Sequence, residues 1–363
     1  MHLTHRPLYI LALDLENAYD SIDRHTLDAI MTRMGVADNA FYRLYTHVRD
    51  AGTTYITGPT SLSPPFHTTR GIKQGCPLSP ALFTLLLSGM HCNLELHNSS
   101  TDVPSTPAAT FPAFSYADNI VLLAHTTSAL ADSHALVALF CTALGLTISP
   151  TQYEAICIGP GTPTIPLPHH TITCSSTMHI LGVHVASDGT LARWCKDPDA
   201  PLHRLHRALA SAGLLHNPRA YLHAAHLSVI PSILSGAEIW ALPHLHACLH
   251  HRCNPYKHPA MAPLLRFLKA AVGLPKHAFN TAVYLLYGLP TLYAMILPRM
   301  ARFLATIPPT LHAAITTVAA QGGTWCSAWT LTARTLSTHT PAHHIDSTLH
   351  AHWTRQHPHG RHH

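Results

Sequence analysis

The hydrophobic pattern at the start of the chain predicts a strand, a helix and a ribbon in succession. Residues 8–13 form a continuous apolar run rich in β-formers, which is typical of a strand buried on both faces and which ends at Asp14. A helical period follows, and Gly35 stands where a helix C-cap is expected. The sequence around Gly58-Pro59 then predicts a β-ribbon with its turn at this dipeptide.

The middle of the chain predicts a buried helix and a hairpin. Ser79 and Pro80 suit the N-cap and first position of a helix whose apolar residues occupy every face, so we expect this helix to be buried. Two short apolar arms then flank the Ala-Asp-Asn segment at residues 117–119. Because Asp and Asn favour turns, these arms predict a hairpin with polar groups at its tip. A helix near residues 128–145 and further strands complete an α+β pattern.

The second half of the chain changes to helical spacing beyond about residue 192. Apolar residues there fall on single helical stripes, as in Leu202, Leu205 and Leu209. We therefore predict three regions, with an α+β domain over residues 1–190 and a helical domain over residues 191–304. The remaining region, residues 305–363, is a His- and Thr-rich C-terminal segment without an assigned fold.

Composition and charge limit the partners of the chain. Only 11% of the residues are charged and the net charge is +5, which is small for a protein that holds a polyanion. Nine cysteines, an odd number without framework spacing, indicate reduced thiols and an intracellular location. No apolar run approaches the ~18 residues that a spanning helix needs, so we expect no membrane partner. Cytosine-rich codons are a simpler explanation of the 34 histidines than a metal function.

Two acidic residues stand at positions suited to metal-dependent chemistry. Asp14 ends the first buried strand, and Asp118 lies at the hairpin tip. Nucleotidyl transfer uses two Mg²⁺ ions ~3.5–4 Å apart, and a pair of carboxylates on neighbouring strands is enough protein for them. Taken singly, Asp14 could instead be a helix N-cap, and Asp118 with Asn119 could be ordinary turn residues.

An ordered set of five motifs gives these two residues a context. The strings are LDLENAYDSID (residues 13–23), RGIKQGCPLSP (70–80), FSYADN (114–119), GLTISPTQYE (145–154) and ILGV (180–183). In this order and spacing they resemble motifs A to E of reverse transcriptases. ILSGAEIW (233–240) and the sequence at 267–292 resemble the thumb of the enzymes carried by non-LTR retrotransposons. The resemblance covers residues 8–303.

The resemblance implies a fold, a reaction and a set of site residues. The fold would be a right-hand polymerase palm, an antiparallel sheet backed by helices, followed by an α-helical thumb. The reaction would extend a DNA primer on an RNA template with deoxynucleoside triphosphates, in the nucleus. The resemblance implies that Asp14 and Asp118 are catalytic and bind two Mg²⁺ (or Mn²⁺) ions. Tyr19 would be the steric gate, and the nucleotide would also contact Arg70, Gln74 and Gly75. Motif C would include Tyr116, Ala117 and Asn119, and the primer grip would include Leu181 and Gly182.

The chain departs from the family pattern at several positions. Asn119 replaces the second aspartate of motif C, and Asn17 stands where motif A often has a lysine. Gln152 occupies the place of the motif D lysine, and an amide cannot act as a general acid at neutral pH. Only thirteen residues precede Asp14, so we expect the basic fingers segment of the family to be missing.

Three functions follow from these observations. The first is an RNA-directed DNA polymerase, and the alternative is an inactive retroelement remnant that only binds nucleic acid. A histidine-rich metal-binding protein is the third. For nucleic-acid binding, Arg266, Lys269, Arg299 and Arg302 are spaced to share helix faces, which suits either a phosphate-tracking surface or a solvated face.

Overall fold

The structure is a computed structural model that divides the chain into two compact units. It describes residues 6–36, 39–99, 101–106, 109–149, 151–168, 170–193, 200–214, 217–242, 244–245, 254, 256–320 and 329–330. The N-terminal unit comprises Arg6–Met178, and the C-terminal unit includes His179–His363. The first combines an antiparallel sheet with helices and the second is mostly helical, which confirms the predicted α+β class.

The main sheet of the N-terminal unit is built around its first strand. Its central strand β1 pairs antiparallel with β5 on one side and with β6 and β7 on the other, and β4 lies outside β5. The main sheet therefore has five strands, and the remaining strands belong to smaller sheets. The strands up to residue 180 are, in chain order, β1 (Leu8–Glu16), β2 (Ser105–Thr106), β3 (Ala109–Thr110), β4 (Ala113–Tyr116), β5 (Asn119–Ala124), β6 (Thr147–Ile148), β7 (Glu154–Ile158), β8 (Thr164–Pro166), β9 (Thr171–Thr173) and β10 (Thr177–Ile180).

Burial along β1 follows from its central position. Leu11, Leu13 and Leu15 are at most 2% exposed, whereas the intervening Ala12 and Asp14 are only half-buried. The leucines share a core with the helices α1 (Ala18–Ser21), α2 (Arg24–Arg33), α3 (Ala40–Asp50), α4 (Ser79–His97) and α5 (Thr127–Ala143). Because side chains alternate along a strand, this burial sends Asp14 to the other face of the sheet.

Local sequence signals explain how several of these helices begin. Asp23 caps α2 by accepting a hydrogen bond from the Thr26 amide, and Thr126 caps α5 in the same way through Ala129. Ser79 was predicted as the N-cap of α4, but Leu78 occupies that position. The Ser79 hydroxyl instead donates to the Lys73 carbonyl at 2.6 Å, which fastens the preceding loop to the helix.

The predicted ribbon around Gly58-Pro59 is only partly formed. Isolated bridges join Thr54 to Phe66 and Thr57 to Leu62, without continuous strands. The side chains of this segment are mostly exposed, so little burial is available to extend the pairing. Helix α3 was not predicted, although Asn39 provides a regular N-cap by accepting from the Tyr42 amide.

The C-terminal unit is a set of short helices after a hairpin. Leu202, Leu205 and Leu209 are buried, which confirms the predicted stripe. The elements are β11 (Val183–Ala186), β12 (Leu191–Arg193), α6 (Ala200–Ser211), α7 (Pro218–Ala224), a π-helix (Ala225–Val229), α8 (Ile230–Ile233), α9 (Ala237–Trp240), a 3-10 turn (Pro259–Met261), α10 (Ala262–Ala271), α11 (Asn280–Tyr287), α12 (Leu292–Thr306) and α13 (Pro309–Ala320).

Of the four basic residues predicted to share helix faces in this unit, Lys269 does not fit either interpretation because it is buried, and Arg299 forms an ion pair. Lys269 is 6% exposed, with its ammonium group turned inward, and Arg299 pairs with Glu238 at 2.7 Å. Within the described residues no single helix has the length and apolar composition to cross a bilayer. Helix α11 and the Leu292–Phe303 part of α12, bent by 66° between them, satisfy both criteria only as a pair.

Candidate active site

Two neighbouring strands bring Asp14 and Asp118 together. Asp14 lies on β1 directly opposite Asn119, the first residue of β5. The Leu15 amide donates to the Asp118 carbonyl at 3.1 Å, so the pairing continues one step beyond the strand. Tyr116 pairs with Asn119 across the hairpin, which leaves Ala117 and Asp118 as its two-residue tip.

The hairpin tip adopts an uncommon backbone conformation. Ala117 has φ 52°, in the left-handed region that costs about 1–2 kcal/mol for a residue with a Cβ. Such a residue persists only where its surroundings fix it, and these conformations are concentrated at functional sites. The predicted hairpin with a polar tip is therefore confirmed, with the turn one residue earlier than the Asp-Asn pair suggested.

The charge of Asp118 acts on two titratable residues of motif A. Burial raises the pKa of Asp14, and the negative charges of Asp118 and then Glu16 raise it further. Burial also raises the pKa of the Tyr19 hydroxyl, with Asp118 as the next cause. Asp118 therefore lies near both the motif A aspartate and the motif A tyrosine.

Asp14 is held from its other side by the segment that resembles motif D. The Ser149 amide donates to the Asp14 carbonyl at 2.9 Å, and the Gln152 amide donates to the Ser149 carbonyl at 3.3 Å. The Gln152 side chain is exposed. The alternative interpretation of Asp14 as a helix N-cap is wrong, because the N-cap of α1 is Asn17 in a left-handed conformation.

Tyr19 is anchored beneath the same site. Its ring stacks on Phe83 of α4, with centroids 5.0 Å apart and planes inclined by 17°. Its carbonyl accepts a hydrogen bond from the Ile72 amide at 2.8 Å. The residue is half-buried, so core packing fixes one part of the ring while another part remains accessible.

The 68–76 loop, which carries the second motif, is fastened closely to the first. The Gly71 amide donates to the Ile22 carbonyl at 2.8 Å. A Cβ at Gly71 would stand 2.9 Å from the Asp20 backbone, so this approach requires glycine. The Gln74 side-chain amide donates to the Asp20 carboxylate at 3.0 Å. The Gly75 position is open, because a Cβ there would meet no atom within 4 Å apart from its chain neighbours.

The accessible cations of the loop are Arg70 and Lys73, both of which are exposed. A third cation, Arg24, was not predicted from the sequence and positions the loop. Its Nε donates to the Gly71 carbonyl and its Nη2 to the Thr68 hydroxyl, both at 2.8 Å, and Nη1 contacts the Thr68 carbonyl. A positive charge in the first turn of a helix interacts unfavourably with the helix dipole. This unfavourable placement was the sequence signal that could have singled out Arg24.

A second missed residue supports the hairpin. His91 on α4 has its Nε2 2.7 Å from the Ser115 hydroxyl, three positions before Asp118. Burial lowers the pKa of His91, with the charge of Glu95 opposing, so the ring is neutral at neutral pH. With histidine frequent throughout the chain, no sequence signal distinguished this one.

The predicted primer-grip residues lie in the C-terminal unit, in the turn before β11. Leu181 has φ 48° and is 54% exposed, and Gly182 has φ 84°. A Cβ at Gly182 would lie 3.2 Å from the Ser235 hydroxyl, and one at Gly236 would lie 2.9 Å from Val183. The turn is thus packed on the segment before α9, while its leucine is presented to solvent.

The donor set at Asp14 and Asp118 suits a hard divalent cation. Mg²⁺ takes oxygen ligands and is commonly bound by one or two carboxylates together with substrate phosphates. The pKa of Asp14 is raised first by burial and then by the negative charges of Asp118 and Glu16, and a bound cation would offset the charge contribution. Among the described residues no cluster of three or more His, Cys, Asp or Glu forms a separate metal site.

The fold defines the chain as an α+β protein, and comparison with known families identifies it further. The profile of the family "Reverse transcriptase (RNA-dependent DNA polymerase)" matches residues 1–185. The chain belongs to the reverse transcriptase family, which confirms the resemblance found in its motifs.

Curated relatives place the chain among retroelement proteins. It is 27% identical over 150 residues to a Pol polyprotein of the type-1 retrotransposable element R2 of Popillia japonica, covering 41% of this chain and 21% of that protein. It is 32% identical over 130 residues to that of the type-2 element R2DM of Drosophila melanogaster, covering 36% of this chain and 12% of the relative. The chain thus spans about a fifth or less of these two relatives.

Among solved structures, a telomerase of Candida albicans in complex with a TWJ fragment of telomeric RNA aligns with 78% of this chain. The alignment covers 51% of the telomerase, at 12% identity and a TM-score of 0.42.

We predict that neutralising either carboxylate stabilises the metal-free protein. The pKa of Asp14 is raised, so its ionised form carries an unfavourable interaction at neutral pH that disappears as pH falls through that raised pKa. Asp14→Asn and Asp118→Asn should each raise the Tm measured at pH 7 in chelator. The pKa of Asp23 is lowered instead, chiefly by its hydrogen bonds to Thr26, so Asp23→Asn is the control without a gain. A lower Tm for Asp14→Asn and Asp118→Asn would contradict this electrostatic description.

A second prediction separates close packing from backbone conformation in the 68–76 loop. Gly71 and Gly75 have nearly the same φ, +81° and +80°, but only Gly71 approaches another backbone. Gly75→Ala should cost about 1 kcal/mol of unfolding free energy, the left-handed penalty alone. Gly71→Ala should cost a further ~1–3 kcal/mol from overpacking. Equal losses, measured by denaturant unfolding, would show that the approach to Asp20 is unimportant.

Proposed function

We propose that the chain is the palm and thumb of an RNA-directed DNA polymerase that extends a DNA primer on an RNA template. The observation that supports this most directly is the pairing of β1 with β5, which sets Asp14 beside the Asp118 tip. The palm, with part of the fingers, would be residues 1–190 and the thumb residues 191–304. The nuclear location and the two nucleic-acid partners are part of the same proposal.

Asp14 and Asp118 would hold two Mg²⁺ ions, or Mn²⁺, which supply Lewis-acid charge for the attacking 3′ hydroxyl and the leaving phosphates. The remaining residues position the nucleotide. Tyr19, fixed by Phe83 and near Asp118, would exclude a ribose 2′ hydroxyl. Gly75 leaves open space for a base or sugar, and Gln74 is oriented by Asp20.

The positive charge needed by a triphosphate would come from Arg70 and Lys73 at the loop surface. Arg24 and His91 are positioning residues, since each acts through another group of the site. Leu181 and Gly182 would contact the primer. The exposed Leu181 has a strained left-handed backbone and buries little apolar surface. Such strained residues are concentrated at functional sites.

A second candidate is a remnant that binds template and primer without extending them. Asn119 favours it, because this residue stands opposite Asp14 where the family has a carboxylate. Gln152 favours the remnant as well, because a glutamine side chain cannot protonate the departing pyrophosphate. Binding without extension by the wild-type chain would select this candidate.

Primer extension distinguishes the two functions. The wild-type chain should extend a labelled DNA primer on an RNA template with Mg²⁺ or Mn²⁺, and Asp14→Ala should reduce the rate by about 10²-fold or more because a metal ligand is lost. Asp132→Ala, at an exposed acidic residue of α5, is the matched control and should be neutral. Retained extension in Asp14→Ala would refute the assigned site, even if primer and template still bind.

Two of the departures from the family pattern, Asn119 and Gln152, should limit the rate. Asn119→Asp restores a carboxylate opposite Asp14, and Gln152→Lys restores a general acid, a role worth about 10²-fold or more when it is well placed. We expect each substitution to raise the extension rate, measured under single-turnover conditions. Rates that stay at the wild-type value in both variants would show that these positions are not what limits the reaction.

A further inference from the structure

The net charge of the chain is distributed very unevenly. Residues 239–345 contain eight Lys and Arg but no Asp or Glu, a net charge of +8. Residues 1–238 contain twelve basic and sixteen acidic residues, a net charge of −4. The modest total of +5 therefore conceals a strongly basic segment, and such a segment attracts polyanions.

One cation of this segment, Lys269, is buried and stabilises the loop after α10 instead of being exposed to solvent. The ammonium group of Lys269 donates to the carbonyls of Lys276 at 3.3 Å and Ala278 at 2.6 Å, and to the Asn280 amide oxygen at 2.8 Å. Asn280 in turn donates to the Tyr256 carbonyl at 3.1 Å. The bonds from Lys269 to the two carbonyls hold the loop between α10 and α11 in place. The bond from Asn280 to Tyr256 holds the backbone next to Lys257.

The loop at residues 273–279 is preorganised by further backbone bonds. The Leu274 amide donates to the Lys269 carbonyl at 2.8 Å, and the Ala278 amide donates to the Pro275 carbonyl at 2.9 Å. Gly273 begins the loop with φ +70°, which suits glycine. A loop fixed in this way loses little conformational entropy on binding a ligand.

Phe279 is the residue that this loop displays. It is 84% exposed, and it occupies the N-cap of α11 without a side-chain hydrogen bond. Ser, Thr, Asp or Asn is favoured at an N-cap, so phenylalanine there neither caps the helix nor joins the core. A position that breaks a local rule without a structural gain is characteristic of a functional site. Lys276 and His277 beside it, and Lys257, are also exposed.

We propose that this loop is a single-strand contact, in which the Phe279 ring stacks on an unpaired base while Lys276 and Lys257 bind the neighbouring phosphates. Every base has a π-face on which an aromatic ring can stack, but in a duplex these faces are covered by neighbouring base pairs. The proposal rests on the nucleic-acid-binding part of the proposed function, and it does not require catalysis.

The test measures binding of the full chain to a labelled single-stranded oligonucleotide and to a blunt duplex at several salt concentrations. Phe279→Ala should weaken single-strand binding about tenfold and leave the salt dependence unchanged, since stacking involves no counterion. Lys276→Ala should instead reduce the slope of log affinity against log salt by about 0.7, the value for one phosphate contact. Phe279→Tyr should bind as the wild type does.

The matched control is Leu96→Ala, at a leucine of α4 that is 82% exposed. An equal loss of affinity in Leu96→Ala, or an unchanged affinity in Phe279→Ala, would overturn the proposal. So would self-association of the chain that Phe279→Ala abolishes while single-strand binding persists, because the ring would then serve a protein contact. Binding is measured in chelator and without deoxynucleotides, so a failure of the polymerase assignment, which shows in primer extension, remains distinguishable from a failure of this proposal.

Discussion

The site depends on the register of one strand. β1 is hydrogen-bonded to β5 on one side and to β6 and β7 on the other, so it cannot slide without breaking both ladders. Leu11, Leu13 and Leu15 face the core, and a shift of one residue would expose them and bury Asp14. The hydrophobic effect acting on these leucines therefore holds Asp14 opposite Asn119 and beside the tip that carries Asp118.

The loops of the site are attached to β1 and to the α1 segment that follows it by backbone hydrogen bonds. Ser149 binds the Asp14 carbonyl, Ile72 binds the Tyr19 carbonyl, and Gly71 reaches Ile22 only because it has no Cβ. The side chain of Arg24 adds three contacts to the same loop from the start of α2. The charged groups that remain exposed are thereby left available for a substrate.

Much of this architecture could be predicted from the sequence because it is encoded locally. The apolar run before Asp14, the polar hairpin tip and the helix ending at Gly35 all formed as their patterns indicated. The long-range pairing of Asp14 with the hairpin could not be derived from local patterns, and only the resemblance of the motifs implied it. The inward turn of Lys269 was missed because helical spacing gives the face of a residue but not the acceptors that face it. Arg24 was missed for the same reason.

The most direct test of the account is to locate Mn²⁺ in crystals of the full chain by its anomalous scattering. The account predicts a peak between the carboxylates of Asp14 and Asp118, with oxygen ligands from both, and its loss in Asp118→Asn. Mn²⁺ bound only at histidines, or density showing the two carboxylates directed away from each other, would contradict it.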